Sequence, residues 1–389
     1  MTDLIALNDR LLARLRSHDF AGWDPFDMLN SRLFQATPLA RSELARLALI
    51  QFGKRSPINF RALLGVPRRR NPKGIALIIL GLLEDHGRTD EPELLDEAAG
   101  LADWLLGQQS DREIWQHACW GYHFDWQARA FFVPRGKPNI ITTAYVGMAL
   151  HALGEKLGRA LYVERAVDAA RFMSRHLFTV RGGEHFFAYI PGEGAYVHNA
   201  NLWGAAWCAV AGRITGESRL VDEAVQAARC SVADQAPSGA WRYGTSRHHG
   251  FVDGFHTGYN LEALDKLATV LATDEFSSAI RAGYAYYKAN FFAADGLPKY
   301  YDVGAYPLDM HSVSQAVITT IKVGGGPEDL ALCDRIVNWA VANMYSARQS
   351  RFAYQKTRLW TNRIDYARWT QAWSYLALAF YNNHRARFG

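Results

Sequence analysis

Cysteine is scarce in this chain, and its four occurrences in 389 residues are too far apart for a disulfide framework. Cys119, Cys208, Cys230 and Cys333 form no Cys-x-x-Cys pair, and Cys208 and Cys333 lie within apolar helical patterns. Such spacing also argues against a zinc site. We therefore predict reduced thiols in a reducing compartment, and no metal site.

Long hydrophobic runs are missing as well. The longest apolar stretch, residues 74–83, is too short to span a bilayer, which takes about 20 residues, and it runs directly into Glu84 and Asp85. Residues 1–17 alternate apolar and charged side chains, and they lack the uninterrupted apolar core and cleavage site of a signal peptide. We expect a soluble, cytoplasmic protein without a transmembrane segment.

Charged residues make up only 21% of the chain, and the net charge is +5. The one dense basic cluster, residues 68–70 with Lys73 nearby, is typical of a solvated loop. Nucleic-acid binding would need a longer basic stripe with interleaved aromatic residues, so we expect no nucleic-acid partner. Phosphate-loop, dinucleotide-binding, zinc-protease and serine-hydrolase motifs are absent from the sequence, and we expect no cofactor.

Apolar and aromatic residues are abundant instead. Hydrophobic residues form 49% of the chain, which excludes a disordered protein. The 12 Trp, 18 Tyr and 20 Phe exceed what a packed core requires. This composition favours a protein with an aromatic-lined cleft.

Helical periodicity repeats along the chain. Stretches that are apolar on nearly all sides alternate with amphipathic stretches that have one charged side. The apolar type begins near Asn71, Asn139, His198, Phe251, Tyr306 and Thr361. An amphipathic helix is predicted before each one, beginning near Pro38, Glu91, Arg159, Glu217, Asp274 and Pro327. A period of roughly 50–60 residues indicates a repeat architecture.

Aromatic segments that resemble one another lead into the apolar helices. Each predicts a short strand, a turn and a helix start, and they span 120–139, 185–199, 239–256, 297–311 and 352–369. We predict an all-α (α/α)6 toroid, in which six helical hairpins place six inner helices inside six outer ones. An open solenoid is the alternative, although six near-equal repeats favour closure. The toroid is predicted as one domain, 38–389, with residues 1–37 as an N-terminal extension packed on it.

A toroid of this kind gathers the loops before its inner helices around one funnel, where distant residues can converge. Asp253 and His256 share one face of a helix start, and Asp309 and His311 repeat the combination at the next inner helix. Glycosidic cleavage needs paired carboxylates, one as acid and one as base or nucleophile. We predict both aspartates as catalytic, with the histidines tuning or relaying protons. Alternatively, Asp253 caps its helix, and His256 only forms a hydrogen bond inside the ring of helices.

Further residues of the same loops are predicted to bind substrate. Asn199 could hold a sugar carboxylate or simply cap its helix. Arg368 could clamp a carboxylate with two parallel hydrogen bonds, or Asp365 could pair with Arg363 or Arg368. The predicted binding residues are Trp120, Tyr122, Asp125, His198, Asn199, Asn201, Trp241, Tyr243, Tyr259, Tyr306, Gln315, Arg363, Arg368 and Trp369.

Several segments together resemble one bacterial family. They include GWDPFDMLNSRLF (22–34), VHNANLWGA (197–205), DGFHTGYNLEAL (253–264), PKYYDVGAYPLDMHSVSQAVIT (298–319) and RWTQAWSYLALA (368–379). In this order, over nearly the whole chain, they are similar to the VpsJ-type polysaccharide-biosynthesis proteins, α/α-toroids often labelled prenyltransferase- or squalene-cyclase-repeat proteins. The resemblance implies the toroid fold and a place in exopolysaccharide or surface-glycan metabolism. The chain departs from the family pattern at Gly254, where Asn is usual, and it lacks the aspartate-rich acid motif of the cyclases.

Three functions are consistent with these features. The leading hypothesis is a glycan-processing enzyme, similar to glycoside hydrolases, that acts on an oligosaccharide, polysaccharide or glycolipid, whose charge could be negative. The second is a uronate polysaccharide lyase or C5-epimerase, in which a Tyr or His removes the C5 proton. The third is a non-catalytic glycan-binding or scaffold subunit of a polysaccharide-assembly complex.

Overall fold

A computed structural model describes residues 3–127 and 132–388. Within them the α-helices are α1 (Leu4–Ser17), α2 (Arg32–Gln35), α3 (Glu43–Arg55), α4 (Pro72–Thr89), α5 (Pro92–Leu106), α6 (Arg112–Trp115), α7 (Ile140–Leu157), α8 (Ala160–His176), α9 (His198–Thr215), α10 (Ser218–Ala233), α11 (Gly254–Leu271), α12 (Ser277–Phe291), α13 (Met310–Thr319), α14 (Pro327–Met344) and α15 (Trp373–Phe388). Two π-helical segments, Thr320–Gly324 and Ala367–Ala372, extend the end of α13 and the start of α15.

The strands are short and lie between the helices. They are β1 (Trp126–Gln127), β2 (Phe132–Val133), β3 (Phe178–Arg181), β4 (Glu184–Phe187), β5 (Leu308–Asp309), β6 (Tyr345–Ser346), β7 (Arg351–Phe352), β8 (Gln355–Lys356) and β9 (Thr361–Asn362). All pairings are antiparallel: β1 with β2, β3 with β4, β6 with β7, and β8 with both β5 and β9.

Six described helices, α4, α7, α9, α11, α13 and α15, form a ring in which each packs on the next. The ring closes because α15 packs on α4. Outside it, α5, α8, α10, α12 and α14 each pack on the inner helix that precedes them in the chain. The predicted (α/α)6 toroid is therefore confirmed, and the open solenoid is wrong.

The sixth outer helix differs from the prediction. The helix that follows Pro38, α3, packs on β1 and on the 3-10 turns at Asp27–Asn30 and Pro38–Arg41. Instead, α1 packs on α15, because leucines at helical spacing, Leu7 and Leu11 among them, give it an apolar face. Residues before 38 thus contribute to the common core, while the boundary at residue 37 stays a prediction.

Polar caps begin most inner helices at one end of the ring. Asn71 and Asn139 accept backbone N–H groups in the first turns of α4 and α7. Asp253 and Asp309 do the same for α11 and α13. Such side-chain oxygens satisfy N–H groups that have no partner within the helix. This end of the ring therefore collects polar side chains from several distant segments.

The predicted lead-in strands are confirmed in part. Strands occur in the segments 120–139, 185–199, 297–311 and 352–369, of which residues 128–131 lie outside the described residues. The prediction is wrong for 239–256, which makes only single bridges, from Gly244 to Val197 and from Asp253 to Tyr301. The four cysteines are free thiols. Among the described helices, none has both the length and the apolar character to cross a membrane.

Candidate active site

A cavity of about 280 Å³ lies among the starts of the inner helices. Its walls are mostly aromatic and include Phe26, Tyr122, Phe124, Trp126, Tyr189, Tyr243, Phe251, Phe255, Tyr300, Tyr301 and Trp369. Polar and charged side chains also line the cavity, namely Lys54, Lys73, Asn199, Asp253, His256, Tyr259, His311 and Arg368. The cavity has the aromatic character that the composition favours, and it has the polar groups with which a ligand could be oriented.

Many of the sequence-predicted residues meet in this cavity, although they are far apart in the chain. They are Tyr122, Asn199, Tyr243, Asp253, His256, Tyr259, His311, Arg368 and Trp369. Their functional roles stay predictions, but their convergence gives the site a definite geometry.

Asp253 and His256 form a hydrogen-bonded pair in the cavity wall. The Asp253 carboxylate accepts the backbone N–H of His256 at 2.9 Å and contacts the ring Nδ1 at 2.6 Å. Since an ionised carboxylate can only accept, Nδ1 carries the hydrogen, and in the neutral form of the ring Nε2 is the lone-pair acceptor. The His256 side chain is 18% exposed, and no hydrogen bond from Nε2 to a described residue is present. Nε2 is therefore available to a ligand.

Asp309 is placed differently. Its carboxylate accepts the backbone N–H of His311 at 2.9 Å, the indole N–H of Trp369 at 3.1 Å and an amide N–H of Gln355 at 3.2 Å. Burial raises its pKa to about 6, against those hydrogen bonds and the attraction of Lys54. Asp309 is not among the lining residues of the cavity. The Asp309 carboxylate positions Trp369 and caps α13. It does not form the open pair of carboxylates with Asp253 that the sequence predicts.

His311 lines the cavity, but its ring is held by packing. It stacks between Phe255 and Trp373, with centroids 4.7 Å from each. Its Nε2 lies 2.7 Å from the Tyr259 hydroxyl, which also accepts a 3.0 Å hydrogen bond from Lys73 Nζ. Burial strongly lowers the pKa of His311, and the positive charge of Lys73 adds to this effect. His311 is therefore a neutral ring fixed in an aromatic stack.

Arg368 is held by an ion pair. The Nε–Nη2 edge of its guanidinium binds Asp24, with Nε–Oδ2 and Nη2–Oδ1 distances of 2.6 and 2.9 Å, and its role as a carboxylate clamp stays a prediction. The predicted pairing of Asp365 with Arg363 or Arg368 is wrong. Asp365 contacts Arg14 at 2.5 Å and Arg351 at 3.5 Å, because α1 packs beside it.

Asn199 does not cap its helix, since Val197 occupies that position and makes no side-chain cap. Asn199 instead lines the cavity at 4% exposure, and its Oδ1 has no hydrogen-bond partner among the described residues. A buried amide oxygen without a partner is costly, so this atom is a candidate contact for a polar ligand group.

The other predicted binding residues lie outside the cavity. Five are buried and bond within the protein, namely Trp120 to Leu105, Trp241 and His198 to Ser231, Asn201 to Ala227, and Gln315 to Glu262. Asp125 accepts the backbone N–H of Arg135 at 2.7 Å. Tyr306 and Arg363 are exposed at the surface. The pattern that selected them, polar or aromatic residues near a helix start, does not distinguish a core contact from a lining contact.

Sequence reasoning missed several lining residues. Lys73 stands in the first turn of an inner helix, directly before the apolar run 74–83, which is the one signal that could have identified it. Lys54 and Phe26 come from the N-terminal region, and Tyr300 and Tyr301 from a lead-in segment. Within residues 3–127 and 132–388, no group of three or more His, Cys, Asp or Glu side chains is arranged to hold a metal ion.

Solved structures similar to this chain are α/α-toroid proteins. A cellobiose 2-epimerase from Bacillus thermoamylovorans has a TM-score of 0.64 at 10% identity, over 82% of this chain and 90% of the other. A GH76 α-mannanase from Bacteroides thetaiotaomicron has a TM-score of 0.62 at 13% identity, over 84% and 90%. An unsaturated glucuronyl hydrolase specific for heparin has a TM-score of 0.60 at 11% identity, over 82% and 88%.

These similarities establish the fold only, because sequence identities this low do not establish a family or a function. No sequence profile of a known family matches the chain, and no curated protein sequence matches it. The resemblance to the VpsJ-type family is therefore not confirmed, while the toroid fold that it implies is.

Proposed function

We propose that this protein is an enzyme that transfers a proton to or from a carbon atom of a saccharide bound in the central cavity. His256 acts as the general base, and Asp253 fixes its tautomer. The observation that carries the proposal is the 2.6 Å contact between Asp253 Oδ2 and His256 Nδ1 at the cavity wall. A carboxylate that holds an imidazole in this way presents a basic Nε2 to the substrate.

The reaction that suits one free histidine is removal of a proton from a carbon next to a carbonyl group. In a saccharide such carbons are C2 of an open-chain aldose and C5 of a uronate. When the planar intermediate turns over before His256 returns the proton, the carbon is inverted, which is epimerisation. When a neighbouring oxygen substituent leaves instead and takes the proton from His256, the reaction is elimination. Neither reaction needs the two free carboxylates that glycosidic hydrolysis uses.

Hydrolysis by Asp253 and Asp309 has less support. Asp253 is the one carboxylate among the described lining residues, and it is bonded to His256. Asp309 already accepts hydrogen bonds from Trp369, Gln355 and the backbone of His311. We therefore assign Asp309 a positioning role, through the indole of Trp369.

A saccharide substrate is supported by the aromatic walls, since flat rings stack on the apolar faces of sugars. It is also supported by the names of the similar structures, which include a cellobiose epimerase, a polysaccharide lyase and glycoside hydrolases. A place in polysaccharide biosynthesis and a cytoplasmic location are further proposals that rest on the sequence alone.

Product analysis in D2O tests the proposal. The purified protein is incubated with cellobiose and with cellobiouronate, the same disaccharide carrying a carboxylate at C6′, and the products are followed by NMR. We expect either deuterium on a sugar carbon with a new configuration, from epimerisation, or a new carbon–carbon double bond, from elimination. New reducing ends with neither carbon-bound deuterium nor a new double bond would contradict the proposal in favour of hydrolysis, and binding without any product would favour the non-catalytic function.

A further inference from the structure

The cavity contains a lysine that the proton-transfer proposal does not use. Lys73 is 2% exposed and lines the cavity from the first turn of α4. Its Nζ donates a 3.0 Å hydrogen bond to the Tyr259 hydroxyl. An ammonium group has three N–H donors, and among the described residues no acceptor is present for the other two.

Aromatic rings surround this ammonium group. Nζ lies 4.4 Å from the ring centroid of Tyr145, 5.1 Å from that of Tyr259 and 5.2 Å from that of Trp373. Ring faces attract a cation, but they carry no net negative charge. The rings therefore hold the lysine in place without neutralising it.

Two other deeply buried cations, unlike Lys73, have a carboxylate partner. Arg61 contacts Asp27 at 2.6 Å, and Arg368 contacts Asp24 at the same distance. A buried charge is stable only when a counter-charge is nearby. Among the described residues Lys73 has no such carboxylate, and burial together with the repulsion of Arg368 lowers its pKa.

A second lysine at the cavity also lacks an ion pair. Lys54 Nζ lies 5.0 Å from the ring centroid of Phe26, and no described carboxylate is within ion-pair distance of it. Asp253 and Asp309 attract it from farther away. Among the described lining residues, Lys54, Lys73 and Arg368 are cations and Asp253 is the one carboxylate, so the lining has more positive than negative charge.

We propose that the ligand supplies the missing charge: the substrate is a saccharide with a carboxylate or phosphate group, and Lys73 together with Lys54 binds that anionic group. This inference rests on the proposed function and names the substrate class of the same cavity. It also moves the predicted carboxylate contact from Arg368, whose charge and Nε–Nη2 edge are paired with Asp24, to the two lysines.

Calorimetric titration of the whole protein with three disaccharides tests the charge preference. The probes are cellobiose, cellobiouronate and cellobiose 6′-phosphate, and the two anionic probes distinguish a carboxylate from a phosphate site. We expect at least one anionic probe to bind about tenfold or more tighter than cellobiose, as expected for hydrogen bonds to charged groups.

Lysine variants then locate the effect. Lys73→Met should weaken binding of the preferred anionic probe by about 10- to 100-fold, and Lys54→Met by a smaller factor in the same direction, while cellobiose affinity changes by less than about twofold. Lys156→Met removes the same charge from an exposed position on α7 and should change neither affinity.

A melting curve of Lys73→Met without ligand checks the premise independently. Because the variant removes a buried charge that lacks a counter-charge, its Tm should equal or exceed that of the wild type. A lower Tm, with equal losses of affinity for charged and neutral probes, would show a structural lysine and overturn the inference. Equal wild-type affinities for all three disaccharides would overturn the anionic substrate and leave proton transfer standing. Failure of all three to bind would overturn both.

Discussion

Two neighbouring inner helices begin with the same two residue types, and the pairs differ in what they can do. At the start of α11, the Asp253 carboxylate reaches both the backbone N–H and the ring of His256. At the start of α13, the Asp309 carboxylate reaches only the backbone N–H of His311 and bonds otherwise to Trp369 and Gln355. One histidine presents a free nitrogen to the cavity, and the other is stacked between aromatic rings.

The difference comes from one residue of spacing. A capping side chain lies over the third residue of its helix, which is the position of His256 relative to Asp253. His311 is the second residue after its cap, so its ring projects elsewhere, here between Phe255 and Trp373. Identical residue types at a helix start therefore give a reactive pair or a packed pair according to their spacing.

Among the substitutions that test the difference between the two Asp–His pairs, Asp253→Asn should have the largest effect. An asparagine still caps α11, but its NH2 group would face the ring nitrogen and favour the opposite tautomer of His256. We expect turnover to fall about 10²- to 10⁴-fold, the range for loss of a general base or of its correct tautomer, while the free energy of unfolding changes by about 1 kcal/mol or less. Steady-state rates and urea unfolding measure the two quantities. Wild-type turnover would refute the assigned role of Asp253.

Asp309→Asn should act on stability through pH. The pKa of this aspartate is about 6 in the folded protein and 3.8 in its ordinary state, so the native state binds more protons between these values. Wild-type stability should therefore fall as pH rises from about 4 to about 6, by about 3 kcal/mol for a difference of roughly two pKa units. The variant lacks this loss, and urea unfolding at pH 4, 5, 6 and 7 compares them. Parallel stability curves, or a turnover loss as large as that of Asp253→Asn, would contradict the positioning role.

Tyr259→Phe should have a smaller effect. It removes the hydroxyl that connects Lys73 Nζ with His311 Nε2, and a buried donor or acceptor left without its partner costs about 1–3 kcal/mol. Tyr306→Phe is the matched control, because Tyr306 is 38% exposed and lies outside the cavity. Thermal unfolding of both variants measures the difference in stability. Equal Tm values would show that the buried hydroxyl contributes nothing.

The ring of helices could be predicted from the sequence because its signal is repeated. Six apolar stretches at a near-constant period lead to six inner helices, and five of the observed starts fall within four residues of the predicted ones. The sixth helix, α15, begins 12 residues after Thr361, or six residues after it when the π-helical segment Ala367–Ala372 is included. The sixth outer helix could not be found in this way. That position is taken by α1, which packs on α15 from the opposite end of the chain, and a local pattern contains no information about such a pairing.

The location of the site could be predicted from the sequence, but many of its contacts could not. Asp253 and His256 carry a local signal, a cap followed by a histidine in the same turn. The partner of Arg368 does not, because Asp24 lies 344 residues away in the chain. The environment of Lys73 carries no local signal either, since it is made by Tyr145, Tyr259 and Trp373 from three other helices.

The most direct test of the account is the rate of solvent deuterium incorporation into a carbon–hydrogen bond of the substrate or, for an elimination, the rate of double-bond formation. It is compared in the wild type, His256→Asn and His311→Asn by NMR at neutral pH. The account predicts that His256→Asn slows incorporation at least about 100-fold, whereas His311→Asn, which alters a packed ring, slows it less than about tenfold. Wild-type incorporation by His256→Asn, or a larger loss in His311→Asn, would contradict the assignment of His256 as the proton-transferring group.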